Sequence, residues 1–75
     1  MSFGEIAELH DLYLLQETDR AYLVCNEERE EAWVPKSQIV KIEFGEACEV
    51  DERPARRIRT LEIPVWLQEK IELWE

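Results

Sequence analysis

A chain of 75 residues is long enough for one small domain, spanning 1–75. Its composition is 45% hydrophobic, with three Trp, two Tyr and two Phe, and this predicts a folded domain instead of a disordered chain. Eighteen acidic and nine basic residues give a formal net charge of −9, which repels phosphate backbones and anionic lipids. Generic duplex-DNA binding and membrane-surface binding are therefore disfavoured.

Targeting signals and cysteine usage indicate a cytoplasmic protein. No apolar run approaches the roughly 18–20 residues that span a bilayer, and the start MSFGEIAELHD lacks the features of a signal peptide. Cys25 and Cys48 could close one disulfide, but neither their spacing nor an export signal supports a disulfide scaffold. Cys25 lies in the apolar run AYLVC, so we expect a buried, reduced thiol.

The first predicted elements are two strands. Residues 12–15 form a continuous apolar run, which favours a strand over Asp11–Glu17, although Ile6, Leu9 and Tyr13 also fit a helical stripe. The second strand is predicted at Ala21–Cys25, because this segment is rich in β-branched and aromatic residues. A turn follows at 26–30.

Two further strands are predicted around a proline bend. Residues 32–34 return as the other arm of a hairpin, and Pro35 ends this strand because proline has no N–H to donate. Residues 36–38 are typical of a tight one-turn bend. Alternating apolar residues then predict a strand over Ile39–Phe44, closed by Gly45.

The C-terminal part is predicted to contain a charged loop, a last strand and a helix. The apolar content falls between Glu46 and Thr60, which is typical of a loop. Leu61 and Ile63 alternate with polar residues as a strand. A helix of two to three turns, running as far as Trp74, is then expected to begin at Pro64.

Five short strands without βαβ spacing predict a mainly β fold with one short C-terminal helix. We expect a small five-stranded antiparallel barrel of the SH3-like or OB-like kind. The terminal helix would plug one end of this barrel.

Two short motifs, Trp33–Ile39 (WVPKSQI) and Ile63–Leu67 (IPVWL), resemble a group of small phage and prophage proteins. That group shares a hydrophobic strand, a charged or glycine-containing turn, a Trp-Val/Ile-Pro-Lys-Ser-Gln bend and a Pro-x-Trp-Leu helix. The resemblance covers Ala21–Ile71 and departs from the pattern in the glycine-free turn Glu27–Glu31 and in an arginine-rich insertion. It implies a mobile-element origin and a small β fold, but no activity, cofactor or catalytic residues.

The two tryptophans of these motifs have a structural and a functional interpretation. Structurally, Trp33 would cover the open end of a barrel, and Trp66 would pack from the helix onto the same core. Functionally, one of the rings would be exposed as a stacking or partner-binding platform. The structural interpretation is favoured.

Residues for catalysis or cofactor binding are sparse. His10 is the only histidine, and no Ser or Cys lies at a recognised spacing from it. Its ordinary interpretation is a surface or strand-edge residue. No paired Cys or His spacing marks a zinc site, and two glycines cannot build a phosphate cradle. We therefore expect no enzymatic activity, no catalytic residues, no metal and no cofactor.

The distribution of charge points to recognition of another protein. Residues 51–59 hold two acidic and four basic residues, whereas the rest of the chain holds sixteen and five. We expect an acidic face that binds a basic surface of a host or phage protein by charge complementarity, in competition with nucleic acid, as an anti-CRISPR or another defence inhibitor would. The ordinary alternative is a solubilising face. The candidate residues are Glu27, Glu28, Glu30, Glu31, Glu43 and Glu46.

The arginine-rich segment supports an alternative function. A small barrel could bind single-stranded nucleic acid through a flexible loop of arginines and an exposed aromatic ring. Alternatively, these arginines pair with the molecule's own carboxylates. The residues concerned are Arg53, Arg56, Arg57 and Arg59. A third possibility is a homodimer formed through an unpaired sheet edge.

Overall fold

The computed structural model describes residues 5–71. The elements in this part of the chain are β1 (Ile6–Glu17), β2 (Ala21–Cys25), β3 (Glu31–Pro35), a 3-10 turn (Lys36–Gln38), β4 (Lys41–Val50), β5 (Arg53–Pro64) and α1 (Val65–Ile71). The strands form one antiparallel sheet in the order β3-β2-β1-β5-β4. The predicted mainly β fold with a short helix is confirmed. The sheet is open, with β3 and β4 at its edges.

One face of the sheet and α1 enclose the hydrophobic core. Leu67 and Ile71 lie one helical turn apart and face the sheet, so they attach α1 to it. Each aliphatic side chain buried in this way stabilises the fold by about 1.5–3 kcal/mol. The buried members of the core are Leu12, Val24, Val34, Ile58, Leu61, Ile63 and Leu67.

A left-handed backbone conformation at Asp11, in the middle of β1, changes which side chains of this strand face the core. Asp11 has a φ of 60°, and the inward position moves from Leu9 before it to Leu12 after it. The ladder between β1 and β5 skips the Asp11–Arg59 pair. His10 Nδ1 lies 3.0 Å from the Arg59 carbonyl oxygen. In the tautomer protonated on Nδ1, the imidazole donates a hydrogen bond to this carbonyl.

Residues 46–60, predicted as a charged loop, instead form most of a β-hairpin. β4 continues through Gly45 to Val50, and a two-residue turn, Asp51-Glu52, leads into β5. The loop prediction is wrong because the inward side chains of this hairpin are small and alternate with exposed charged ones. Cys48 and Ala55 are half-buried, whereas their charged neighbours are exposed.

The other predicted elements agree more closely with the structure. β2 has its predicted bounds, and the bend at 36–38 is a 3-10 turn. β1 begins at Ile6, five residues before the predicted start, so the helical alternative for this stretch is wrong. β4 begins at Lys41 instead of residue 39. α1 begins one residue after Pro64, and Trp74 lies outside the described residues.

Candidate protein-binding surface

The turn between β2 and β3 is organised by the side chain of Asn26. Its Oδ1 accepts hydrogen bonds from the backbone N–H of Glu28 at 2.9 Å and of Glu30 at 3.1 Å, while its Nδ2 donates to Glu30 Oε1 at 3.0 Å. This side-chain turn lets a glycine-free sequence reverse direction, with Arg29 taking a φ of 69°. The four predicted glutamates 27, 28, 30 and 31 are thereby held in exposed positions.

The turn between β4 and β5 carries two more exposed acidic side chains. Asp51 and Glu52 have φ values of 52° and 66°, as in a type I′ hairpin turn. Such turns favour Asn-Gly or Asp-Gly, because a side chain in the left-handed region costs roughly 1–2 kcal/mol. Asp tolerates this conformation better than Glu. Glu52, in place of the favoured glycine, therefore adds a second carboxylate to this turn at a cost in folding stability.

Two ion pairs bring these two turns together. Arg29 Nε lies 3.1 Å from both carboxylate oxygens of Asp51, and Arg53 Nη2 lies 3.4 Å from Glu31 Oε2. Each hairpin thus contributes one arginine and one carboxylate. We call residues 26–31 and 49–53 together the paired tips.

The paired tips form a dense negative surface. They hold seven acidic and two basic side chains, a net charge of −5, and all nine are exposed. The ion pairs engage only two of the acids. Within residues 5–71, four of the acids form no ion pair and accept no hydrogen bond through their carboxylates: Glu27, Glu28, Glu49 and Glu52.

Sequence reasoning missed half of this surface. The charged loop predicted over 46–60 contains Glu49, Asp51 and Glu52, and the candidate residues predicted from the sequence include none of the three. The alternation of Cys48 and Val50 with charged neighbours was a signal for a strand, but the turn lacks the glycine that marks a hairpin. Two of the predicted acids lie elsewhere: Glu43 pairs with Lys41 at 3.3 Å, and Glu46 lies in the bulge of β4.

A buried thiol lies close to the paired tips. Cys25 is 1% exposed, and burial raises the pKa of its thiol above the ordinary value of 9.0. The charges of Arg29, Glu31, Arg53 and Asp51 also act on this thiol, and Cys25 lies opposite Glu31 in the β2–β3 ladder. The burial of Cys25 expected from the sequence is confirmed, and both Cys25 and Cys48 are free cysteines. A buried thiol with a raised pKa is a poor nucleophile.

Most of the arginine side chains are already engaged. Arg57 Nη2 lies 2.7 Å from Asp11 Oδ1, and its guanidinium lies 5.8 Å from the centre of the Tyr13 ring. Arg56 donates to the Gly45 carbonyl at 3.3 Å and lies over the Phe44 ring at 5.3 Å. With Arg53 bound to Glu31, three of the four predicted arginines have intramolecular partners.

Arg59 is the exception. Its side chain lies across Gly45, where an added Cβ would come within 3.2 Å of Arg59 Nε. It forms no ion pair within the described part of the chain.

The two tryptophans are more exposed than the structural interpretation expects. Trp33 is 46% exposed, because its neighbour Val34 takes the inward position on β3. Trp66 is 54% exposed, because Leu67 faces the core from α1. The functional interpretation, an exposed aromatic platform, therefore gains support for both rings.

Within residues 5–71, no group of three or more metal-binding side chains converges, and no helix is long and apolar enough to cross a membrane. His10 is an exposed residue of β1 that contacts the Arg59 carbonyl of β5, in agreement with the surface position predicted from the sequence.

Comparison with protein-family models, curated proteins and solved structures found no match.

Proposed function

We propose that this chain is a non-enzymatic interaction protein that binds a basic surface of a partner protein through its paired tips. The observation that carries this proposal is the joining of two acidic turns by the Arg29–Asp51 and Arg53–Glu31 ion pairs. Charge concentrated in this way steers association and selects partners of opposite charge.

The proposed partner is a nucleic-acid-binding protein, because such proteins carry dense basic surfaces. Binding to such a surface would compete with the polynucleotide. The resemblance to phage and prophage proteins suggests a phage-encoded inhibitor in a bacterial cytoplasm, of which an anti-CRISPR is one concrete form.

Backbone strain supports a functional role for this surface. Arg29, Asp51 and Glu52 are three of the four non-glycine residues with positive φ in the described chain, and all three lie in the paired tips. Strain of this kind persists where the surrounding structure enforces it, and it often marks functional sites.

The alternative, single-stranded nucleic-acid binding through the arginines, has weaker support. Arg53 and Arg57 would have to leave carboxylates, and the faces of Phe44 and Tyr13 already carry guanidinium groups. Arg59 is the one candidate of the four that could contact phosphate without such rearrangement.

The same contacts favour a partly open form of the SH3-like or OB-like barrel predicted from the sequence, in which β3 and β4 do not pair. β3 and β4 are opposite edges of the sheet, yet only residues 36–40 join them. A sheet that also brings its two hairpin tips into contact must be strongly coiled.

Two triple variants with equal net charge test the proposed function. The tip variant is Glu27→Gln/Glu28→Gln/Glu52→Gln, and the remote variant is Glu5→Gln/Asp19→Asn/Glu69→Gln. Fluorescence anisotropy of a labelled hexa-arginine peptide measures binding at several salt concentrations. We expect the tip variant to lose about tenfold more affinity than the remote variant. Equal losses would show that net charge alone drives binding, and would overturn the proposal.

A further inference from the structure

The hydrogen-bond pattern between β2 and β3 shows which backbone groups of β3 face outward. Asn26 N–H donates to the Glu30 carbonyl at 3.1 Å at one end of the ladder, and Lys36 N–H donates to the Arg20 carbonyl at 2.8 Å at the other. Facing residues in an antiparallel pair alternate between bonded and non-bonded positions. When this alternation is followed through the observed register from either end of the ladder, the same residue pairs of β2 and β3 are hydrogen-bonded. The β3 residues that direct their backbone groups away from β2 are Glu31, Trp33 and Pro35.

This outward edge adjoins the acidic surface. Glu31 belongs to the paired tips, and Trp33 follows two residues later, so the two side chains lie on the same face of β3, roughly 6.5 Å apart along the strand. Both side chains are exposed. Pro35 offers only a carbonyl, which limits further pairing at this end of the strand.

We infer that an extended, basic segment of the partner protein adds to the free edge of β3 as an antiparallel strand, with one basic side chain opposite Glu31 and the next over the Trp33 indole. Arg53 contacts Glu31 through Oε2 at 3.4 Å, and the incoming basic side chain shares this carboxylate with it. This inference rests on the proposed function and specifies how the partner binds. Strand addition supplies main-chain hydrogen bonds, and alternate side chains supply specificity. A carboxylate and an indole two positions apart select the pattern basic-x-basic.

The other sheet edge is less suited to strand addition. β4 has register irregularities between Glu43 and Phe44 and between Phe44 and Ala47, and bulges of this kind discourage pairing with another strand. The register of β3 with β2 is regular throughout. A second copy of this chain is a poorer occupant than a basic segment, because each copy has a net charge of −9.

The test uses two peptides with the same composition and charge. One alternates valine and arginine (Val-Arg-Val-Arg-Val-Arg-Val), and the other groups the arginines (Val-Val-Arg-Arg-Arg-Val-Val). We expect the alternating peptide to bind about tenfold more tightly. We also expect it to slow hydrogen exchange at the N–H groups of Glu31 and Trp33. The N–H groups of Ala32 and Val34 already bond to β2, so their exchange is the internal control.

A pair of variants separates the indole from the backbone. Trp33→Ala removes only the ring, whereas Trp33→Pro also removes an N–H that points away from β2. We expect the proline variant to bind the alternating peptide several-fold more weakly than the alanine variant. An alternating peptide N-methylated on its arginines removes the reciprocal bonds, from the peptide N–H groups to the outward carbonyls of β3. We expect it to bind the unchanged protein several-fold more weakly than the unmethylated peptide, so the test does not depend on the folding of the proline variant.

The possible outcomes distinguish this inference from the proposed function. Equal binding of both peptides, with unchanged exchange at Trp33, would overturn strand addition and leave the acidic surface in place. Protection of Trp33 by the alternating peptide, with no loss of affinity in the tip variant, would retain strand addition and overturn the proposed function. Protection of Trp33 in the free protein, together with a dimer mass in light scattering, would show that a second copy occupies this edge and would overturn the inference.

Discussion

Arg29 Nε lies 3.1 Å from both carboxylate oxygens of Asp51, although the two residues belong to different hairpins on opposite sides of β1 in the strand order. This contact and the Arg53–Glu31 pair place two acidic turns side by side. An exposed ion pair contributes little to stability, about 0–1 kcal/mol. Together the two pairs join the acidic turns into one charged surface, next to the strand end that carries the buried Cys25.

The first prediction concerns access to the buried thiol. Arg29→Gly removes the guanidinium while accepting the φ of 69°, so we expect the Cys25 thiol to react about threefold faster or more with a thiol reagent. The measurement is the labelling rate in a Cys48→Ser background, so that Cys25 is the only thiol. Arg20→Gly is the matched control. Equal rates in both variants would mean that the tip contact does not limit access to Cys25.

The second prediction concerns the strained turn. Glu52 has a φ of 66°, so Glu52→Gly should stabilise the protein by about 1 kcal/mol, measured by urea unfolding. Glu52→Gln removes the same charge but retains a side chain, and we expect it to change stability by less than about 0.5 kcal/mol. If both variants gained the same stability, relief of charge repulsion and not backbone strain would be the cause.

The third prediction concerns the gap in the ladder between β1 and β5. His10 bonds to the Arg59 carbonyl at 3.0 Å, so His10→Ala should destabilise the fold by about 1 kcal/mol. Urea unfolding measures the loss, and Gln16→Ala, at another exposed position of β1, is the control. An unchanged midpoint for His10→Ala would show that water replaces the imidazole without cost.

The fourth prediction concerns alkaline pH. The hydrogen bond from Lys36 Nζ to Glu17, at 2.6 Å, raises the pKa of Lys36 above its ordinary value of 10.5. A folded-state pKa that is raised gives stability that is fully present below the unfolded value and is lost as pH rises through the folded value. The stability difference between the wild type and Lys36→Gln should therefore be constant up to about pH 10 and shrink above it. A difference that grows with pH would contradict this assignment.

Local sequence signals predicted the elements that depend on neighbouring residues. The apolar run at Ala21–Cys25, the bend after Pro35 and the helix after Pro64 were all predicted within a residue of their observed positions. The β4–β5 hairpin was not predicted, because its turn, Asp51-Glu52, places side chains where glycine is expected.

The candidate site was predictable only in part. The acidic β2–β3 turn follows from the sequence, but its contact with the β4–β5 turn joins Arg29 to a residue 22 positions away. No local pattern encodes such a contact, which depends on the coiling of the whole sheet. The exposure of Trp33 likewise follows from Val34 taking the inward position.

Photo-crosslinking in a bacterial extract tests the proposed binding surface most directly. A benzoylphenylalanine side chain is placed at Glu28 in one variant and at Glu69, on α1, in the other. We expect position 28, and not position 69, to capture a basic protein, and we expect added single-stranded nucleic acid to abolish this capture. Capture of the same protein from both positions, or from position 69 alone, would contradict binding through the paired tips.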